Sequence, residues 1–298
     1  MLRKLTLALA ISVLAANATA AEKQPAVHVL ASLPVTYGLG QILLKDSGVE
    51  LERAAPANLP GSRQTAYFTG RGVEALRKSA LAADAVIGLR SIWPDDPLYP
   101  NARRSNIRIV EIDAARPVDG GLPGIALQPG QGADGLNSQP WLSSNNLGRM
   151  ADVTAADLVR LAPAAKPRIE ANLSALKQQL LKLNADSEAA LAKADNLSVV
   201  SLSDHFSYLI SGLNLELAAT QVLADDQWTP QALQVLTQTL KDNDVALVLD
   251  HRQPPEAVAT AITAAGSKLL VLATEGEDPL AQLQGNITQV TQALSAPR

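Results

Sequence analysis

Short apolar runs alternate with helical patterns between residues 27 and 112. Runs of this length, rich in Val, Ile and Leu, are typical of buried β-strands. Between them the periodicity is helical, most clearly over Val73–Ala82. The predicted strands are Val27–Leu33, Val49–Arg53, Asp84–Leu89 and Ile107–Ile112. Apolar strands that alternate with helices predict a parallel sheet covered by helices on both faces.

From Asn145 to Ala194 the pattern changes to a long helical stretch, which Pro163 and Pro167 divide. Beyond the prolines, apolar residues recur at helical spacing for roughly six turns. These residues are Ile169, Leu173, Leu176, Leu180, Leu183 and Leu191. Such a helix could be one arm of a coiled coil or a rigid connector between two α/β halves. We favour the connector, because the pattern occurs once in the chain and therefore has no partner helix.

The alternation of strands and helices resumes after residue 195. Thr229 and Pro230 open one of the helices, as its N-cap and its first helical residue. The predicted strands are Leu197–Leu202, Leu215–Ala219, Val245–Leu249 and Lys268–Ala273, and further helices are predicted over Phe206–Leu213, Pro255–Ala265 and Leu280–Leu294. The predicted fold class is α/β, with two lobes of parallel sheet flanked by helices and bridged by one long rigid connector helix. We expect an N-terminal lobe over residues 22–144, a helical connector over 145–195 and a C-terminal lobe over 196–298.

Residues 1–21 have the pattern of a secretory signal peptide. A basic start precedes an apolar segment over residues 5–16, and Ala-Thr-Ala at 18–20 forms a small-residue cleavage site. The apolar segment is too short to span a bilayer, and it lacks the polar face of an amphipathic first helix. We expect cleavage near Ala20 or Ala21 and a periplasmic location.

Composition excludes several classes of function. The 298 residues carry a net charge of −4, which argues against nucleic acid and anionic membranes as partners. The chain has no cysteine, so thiol chemistry, thiolate metal sites, disulfides and a lipid-modified cysteine are excluded. Three histidines leave little material for an all-histidine metal site. Nine aromatic residues are few for a protein that stacks sugars or single-stranded nucleic acid on its rings.

Five short segments, in order along the chain, resemble the motifs of one known family. They are VHVLASLPVTYGLGQIL, SRQTAYFTGRGVEALRKSALAADAVIGL, NSQPWLSSNN, VVSLSDHFSYLISGLNLEL and ALVLDHRQPPEAV. On these segments the chain resembles the zinc/manganese solute-binding proteins of bacterial ABC importers. The resemblance implies a ligand held in the cleft between the two lobes and an inner-membrane ABC permease as partner.

The chain departs from this family where the metal-binding histidines are expected. The residues that fall at the three histidine positions are Gln64, Gln139 and Ser203. The last acidic ligand falls near Glu275, and Glu277 and Asp278 leave its register open. Transition metals prefer imidazole and carboxylate ligands, for which uncharged amide and hydroxyl oxygens are weak substitutes. The resemblance therefore implies a divergent member that does not hold a bare divalent metal tightly at these positions.

A different set of residues offers an alternative metal site. His205 follows Asp204 after one strand of the C-terminal lobe, and His251 follows Asp250 after another. Neighbouring strand ends bring such side chains together, so His205, Asp250 and His251 are candidate ligands of a divalent ion. The competing interpretation is polar loop residues, with the two aspartates capping helix starts. His28 lies inside the first strand and is expected to be a buried or edge histidine.

Hydrogen-bonding side chains cluster around the expected cleft. The candidate ligand-binding residues are Arg63, Gln64, Gln139, Trp141, Ser203, Asp204 and Glu275. Such groups suit a small polar molecule, or a metal already chelated by carboxylate, catecholate or hydroxamate oxygens. Eight of the nine aromatic residues, Trp93 among them, lie in or beside segments expected to reach the cleft, where a flat ligand could contact them. We rank a metal chelate or small polar molecule first as the ligand, and a bare divalent metal second.

The leading hypothesis is the periplasmic solute-binding component of a metal-type ABC import system. The alternative is a companion protein that has lost ligand binding and modulates a second, metal-binding periplasmic protein. Ser203, His205 and Asp250 include the residue types of a catalytic triad. No Gly-x-Ser-x-Gly elbow, P-loop or Gly-x-Gly-x-x-Gly motif accompanies them, so we do not expect an enzyme.

Overall fold

The computed structural model describes residues 26–118, 121–130 and 135–295. The predicted signal peptide and its cleavage site lie outside the described residues. Within the described part of the chain, no helix combines the length and the apolar character needed to cross a membrane.

A four-stranded parallel sheet forms the N-terminal lobe. Its strands are β1 (His28–Ala31), β2 (Glu50–Arg53), β3 (Ala85–Gly88) and β4 (Val110–Asp113). They lie in the order β2-β1-β3-β4, so β1 and β3 are the central pair. The helices of this lobe are α1 (Pro34–Leu44), α2 (Gln64–Thr69), α3 (Val73–Ala82) and α4 (Leu98–Ser105). Every residue of β3 is buried, as expected for a strand covered on both faces.

Two helices lead from this lobe to the next. α5 (Ser144–Leu161) is followed by a single 3₁₀ turn (Pro163–Ala165) and then by α6 (Lys166–Leu191). Pro163 prevents α5 from continuing, and Pro167 occupies the first turn of α6, where a missing N–H costs nothing. The 26 residues of α6 extend for about 39 Å. α6 packs against α1 and α5, so it is a connector and not a free coiled-coil arm.

The C-terminal lobe repeats the topology of the first. Its strands are β5 (Ser198–Ser201), β6 (Glu216–Thr220), β7 (Leu247–Asp250) and β8 (Lys268–Val271). They lie in the order β6-β5-β7-β8 and are all parallel. The helices are α7 (Ser207–Gly212), α8 (Pro230–Asp242), α9 (Glu256–Ala264) and α10 (Pro279–Ser295).

The predicted fold class is confirmed, with two parallel sheets flanked by helices and a long connecting helix. Each of the eight predicted strands overlaps an observed one. The helix α4 was not predicted, because its sequence, LYPNARRS, lacks an apolar period. The carboxylate of Asp96 accepts a hydrogen bond from the backbone N–H of Leu98 at its start, which satisfies one of the free N–H groups there.

One apolar core extends through both lobes. It contains Val29 and Ile87 from the first sheet, Leu176 from α6, and Val199 and Leu249 from the second sheet, all of them almost fully buried. Smaller clusters lie under the outer helices of each lobe. Because the main cluster is shared, we expect the two lobes to support each other's stability.

Candidate functional site

The loops at the carboxyl ends of the strands meet in a seam between the two lobes. Asn137 Nδ2 donates hydrogen bonds to the backbone oxygen of Asp204 (2.6 Å) and to Ser207 Oγ (2.8 Å). Trp141 Nε1 donates to the backbone oxygen of Thr274 (2.9 Å). In an open parallel sheet, this end of the strands is where ligands bind. The seam is therefore the first place to look for a site.

A small cavity lies within the seam. It has a volume of about 20 Å³ and is lined by Leu33, Pro34, Val35, Trp93, Trp141 and Glu275. A cavity of this size holds about one water molecule or one ion. In this conformation it has no room for the organic part of a chelate. The predicted binding residues Trp141 and Glu275 thus lie together, on opposite sides of the seam.

The structure distinguishes the three acidic residues that the sequence left as alternatives. Glu275 lines the cavity, whereas Glu277 forms an ion pair with Arg53 of the N-terminal lobe. Asp278 caps α10, since its Oδ1 accepts a hydrogen bond from the backbone N–H of Ala281 (2.9 Å). Partial burial raises the pKa of the Glu275 carboxyl above its ordinary value of 4.5. Of the three acidic residues, Glu275 is therefore the one whose side chain lines the cavity.

Two predicted glutamines are buried near residues that line the cavity, although neither lines it, and each has an unpaired amide oxygen. Gln64 is fully buried, and its Nε2 donates to the backbone oxygen of Ser32 (2.9 Å), immediately before the lining residue Leu33. Gln139 is 7% exposed and lies two residues before the lining residue Trp141. Gln64 Oε1, Gln139 Oε1 and Ser32 Oγ have no hydrogen-bond partner among the described residues. A buried polar atom without a partner typically costs about 1–3 kcal/mol, so a hydrogen-bond donor or cation that reached these oxygens would recover that cost.

A second polar group forms at the ends of the adjacent strands β5 and β7. Ser203 Oγ lies 2.8 Å from His251 Nδ1, which is also 3.3 Å from Asp250 Oδ1. The rings of His205 and His251 are tilted against each other with centroids 4.5 Å apart. Burial lowers the pKa of His205, although the nearby carboxylates of Asp204 and Asp250 act in the opposite direction. The predicted convergence of these two strand ends is thus observed.

The arrangement of this second group is that of a hydrogen-bonded cluster. Over residues 26–118, 121–130 and 135–295, no three side chains of His, Asp or Glu are grouped so that they could hold a metal ion. The capping role falls to Ser203, whose Oγ accepts the backbone N–H of His205, and not to Asp204. Metal binding by His205, Asp250 and His251 therefore stays a prediction that needs side-chain rearrangement.

Other predicted residues lie at the margin of the seam or away from it. Arg63 is exposed on the turn before α2 and does not line the cavity. Phe68 and Phe206 are fully buried and pack in the core instead of facing a ligand. The sequence did not single out Ser32, Arg53 or Asn137, because their roles depend on the way the two lobes meet.

This fold, with two similar lobes around a seam and a long connecting helix, is that of a solute-binding protein. The chain matches the family model described as zinc-uptake complex component A, periplasmic (ZnuA), over residues 68–296. The match covers more than half of the chain, and the chain therefore belongs to this family. No curated protein matches it.

Several solved structures share the fold at low sequence identity. A mutant of FpvC from Pseudomonas aeruginosa is 22% identical, with a TM-score of 0.73 over 90% of this chain and 99% of that one. The metal-dependent lipoprotein YcdH from Bacillus subtilis is 18% identical, with a TM-score of 0.71 over 91% of this chain and 100% of that one. A structure of ZnuA is 20% identical, with a TM-score of 0.69 over 91% of this chain and 100% of that one.

Proposed function

We propose that this protein is the periplasmic solute-binding component of a metal-type ABC import system. The seam holds the ligand, and the liganded surface is presented to an inner-membrane permease. Family membership supports this role, because the family is named for a component of a zinc-uptake complex. Related folds have been solved with divalent metals, namely FpvC with Ni²⁺ and with Mn²⁺. A binding role also agrees with the absence of catalytic motifs from the sequence.

The observation that carries the proposal is the pair of buried, unpaired amide oxygens near the cavity, together with the carboxylate that lines it. Gln64 and Gln139 each bury an amide oxygen without a partner, and Glu275 contributes a carboxylate. Oxygen acceptors close to a space for one ion suit a cation, or a metal whose bound waters or chelator donate hydrogen bonds. The resemblance places two of the family's metal-binding histidines at Gln64 and Gln139, and its acidic ligand near Glu275.

The composition of this oxygen set favours a metal that arrives with its own chelator. Glu275 is the one charged residue among those that line the cavity, so a bare divalent ion would gain little Coulomb energy there. Burial also favours the protonated form of Glu275, whose pKa it raises. A chelated metal needs less charge from the protein. We therefore keep the chelate ahead of the bare ion, with the metal in the cavity and the chelator outside it.

The test is native mass spectrometry of protein isolated from its own periplasm without added metal, together with elemental analysis. We expect a metal-bearing adduct on the wild-type protein. The fraction of protein that carries this adduct should be about tenfold lower in the double variant Gln64→Ala, Gln139→Ala. The control, Gln178→Ala with Gln179→Ala, changes two exposed glutamines on α6 and should retain the adduct fully. Bare protein in every preparation would contradict ligand binding and favour the companion role.

A gain-of-function variant tests the position of the site. Replacing Gln64 and Gln139 by histidine should increase zinc affinity by about 100-fold, since imidazole nitrogen replaces neutral oxygen. Ser203 is left unchanged, because its hydroxyl contacts His251 of the alternative site. Calorimetric titration with Zn²⁺ measures the change. If zinc affinity depends instead on His205 and His251, shown by loss in His205→Asn or His251→Asn, the metal site is the alternative one between β5 and β7.

A further inference from the structure

A groove opens on the N-terminal lobe between α2 and the loop that follows β3. It has a volume of about 590 Å³, within the range of roughly 300–1,000 Å³ that is usual for small-molecule sites. One wall includes Gly61 and Trp93, and the other includes Pro100 and Arg104 of α4. The groove is therefore large enough for the organic molecule that the seam cavity cannot accommodate.

Trp93 connects the groove with the seam cavity, because its side chain lines both. The indole packs directly on the backbone of Gly61, where an added Cβ would lie 2.7 Å from Cη2 of the ring. A side chain at position 61 would displace the ring, so glycine allows the indole to stay between the two spaces. A guest in the groove and a guest in the cavity would both contact Trp93.

The free polar groups of the groove define the chemistry of a guest. The guanidinium of Arg104 forms no hydrogen bond or ion pair with the described residues. Asp95 and the hydroxyl-bearing Ser62 and Thr65 also line the groove. The carboxylate of Asp96 is already used, because it accepts hydrogen bonds from the backbone N–H groups of Leu89 and Leu98. The available groups are thus one cation, one carboxylate and hydroxyls.

A small hydroxycarboxylate complements this set. Its carboxylate can pair with the planar fork of Arg104, which suits two parallel hydrogen bonds. Its hydroxyl can donate to the carboxylate of Asp95, and Ser62 and Thr65 supply further donors. A hydroxycarboxylate with more than one carboxylate can chelate a divalent metal through its remaining carboxylates while these contacts are made.

We propose that the groove binds the hydroxycarboxylate chelator of a metal complex, with the metal facing Trp93, whose side chain also lines the seam cavity. The proposal rests on the proposed function, which it deepens by naming the class of chelator. The chelator contacts Arg104, Asp95 and the hydroxyls of Ser62 and Thr65. The same side chains could also bind the hydroxycarboxylate without a metal. The experiment therefore compares the metal-free acid with its metal complex.

The experiment is calorimetric titration of the mature protein with three probes: citrate alone, Ni²⁺ alone and the Ni²⁺–citrate complex. We expect the complex to bind more tightly than either component. Arg104→Ala should weaken binding of the complex about tenfold or more, and Arg104→Lys should restore it in part, because charge is kept but the fork is lost. The matched control is Arg108→Ala, an exposed arginine close by in the chain that does not line the groove.

Each outcome bears on the proposal. Loss of binding in Arg104→Ala, with Arg108→Ala unchanged and both variants equally stable to heat, supports it. Equal affinity for citrate alone and for Ni²⁺–citrate overturns the metal complex and leaves a site for the free acid. Unchanged affinity in Arg104→Ala, or no binding of Ni²⁺–citrate by wild type, overturns the groove. The proposed function fails separately, when protein from the periplasm carries no ligand.

Discussion

The two lobes share one topology but place different chemistry at the ends of their strands. Each sheet has the same order of strands, β2-β1-β3-β4 in the first and β6-β5-β7-β8 in the second. After β3 and at the end of β4 in the first sheet, the carboxylates of Asp96 and Asp113 accept hydrogen bonds from the protein, those on Asp113 coming from Ser91. After β5 and β7 of the second sheet lie His205 and His251. The fold fixes where a site can lie, and the loops decide its chemistry.

The lobes also differ in charge. Residues 26–118 contain eleven Lys and Arg against nine Asp and Glu, whereas residues 196–295 contain three against eleven. A ligand in the seam therefore lies between a segment with a small excess of basic residues and one with a large excess of acidic residues. This asymmetry suits a guest that carries a metal cation at one end and carboxylates at the other. Neither lobe alone offers both.

The largest expected effect comes from equivalent core residues in the two sheets. Ile87 pairs with Ala31 across the first sheet, and Leu249 pairs with Ser201 across the second. Ile87→Ala and Leu249→Ala should each lower the free energy of unfolding by about 2–5 kcal/mol. Both should keep a single transition in urea, because the two residues belong to one core that extends through both lobes.

Urea unfolding followed by circular dichroism and by tryptophan fluorescence checks this expectation. Val235→Ala on α8 is the control, since Val235 is 54% exposed and its truncation should change stability by less than about 0.5 kcal/mol. Two separate transitions, with one of them shifted, would show that the lobes unfold independently.

A smaller effect is expected at the contact between the lobes. A Cβ at Gly38 of α1 would lie 2.1 Å from the backbone oxygen of Glu277 and 2.6 Å from Cδ of Pro279. Gly38→Ala should therefore force the lobes apart locally and cost about 1–3 kcal/mol. Gly285→Ala on α10 is the matched control, because nothing lies within 4 Å of its added Cβ. In thermal unfolding, Gly285→Ala should stabilise the folded protein by about 0.4–1 kcal/mol. Equal changes in stability in the two variants would contradict this description of the contact.

The smallest effect is a pH dependence that arises in the C-terminal lobe. Burial lowers the folded-state pKa of His205 below its ordinary value of 6.5. The folded state therefore binds fewer protons, and this contribution to stability is present above pH 6.5 and is lost as the pH falls through 6.5 toward the folded pKa. His205→Gln should flatten the decrease in stability between pH 7.5 and about pH 5.

Urea unfolding at a series of pH values measures this slope for wild type and variant. Measurements at pH 8 provide the control, because the imidazole is then neutral in both states. An unchanged slope in His205→Gln would assign the pH dependence to other groups. The expected change is small, because the His205 side chain is 30% exposed.

Sequence reasoning predicted the fold because the fold depends on local patterns. Val86, Ile87, Val248 and Leu249 lie in short apolar runs that are buried on both faces, and such runs are visible without a structure. The proline-bounded helix α6 was visible for the same reason. The convergence of His205 and His251 followed from one further rule, that parallel strands end at the same edge.

The rest of the site depends on contacts between distant loops. Residue type alone does not distinguish the three neighbouring acids. Their contacts do, because Glu275 lines the cavity, Glu277 pairs with Arg53, and Asp278 caps the start of α10. The unused oxygen of Gln64 is a consequence of where its amide nitrogen is bound, on Ser32. No local pattern encodes such choices.

The position of α10 has a consequence for the order of folding. Its apolar residues Leu283, Ile287, Val290 and Leu294 belong to the core that the first lobe begins, and the helix packs against α1 and α6. During synthesis, a surface on these early helices therefore stays uncovered until α10 has emerged. A chain that stops before Leu280 would expose this surface to chaperones or to aggregation. The shared core thus closes only when residues about 240 positions apart in the sequence, on α1 and α10, come into contact.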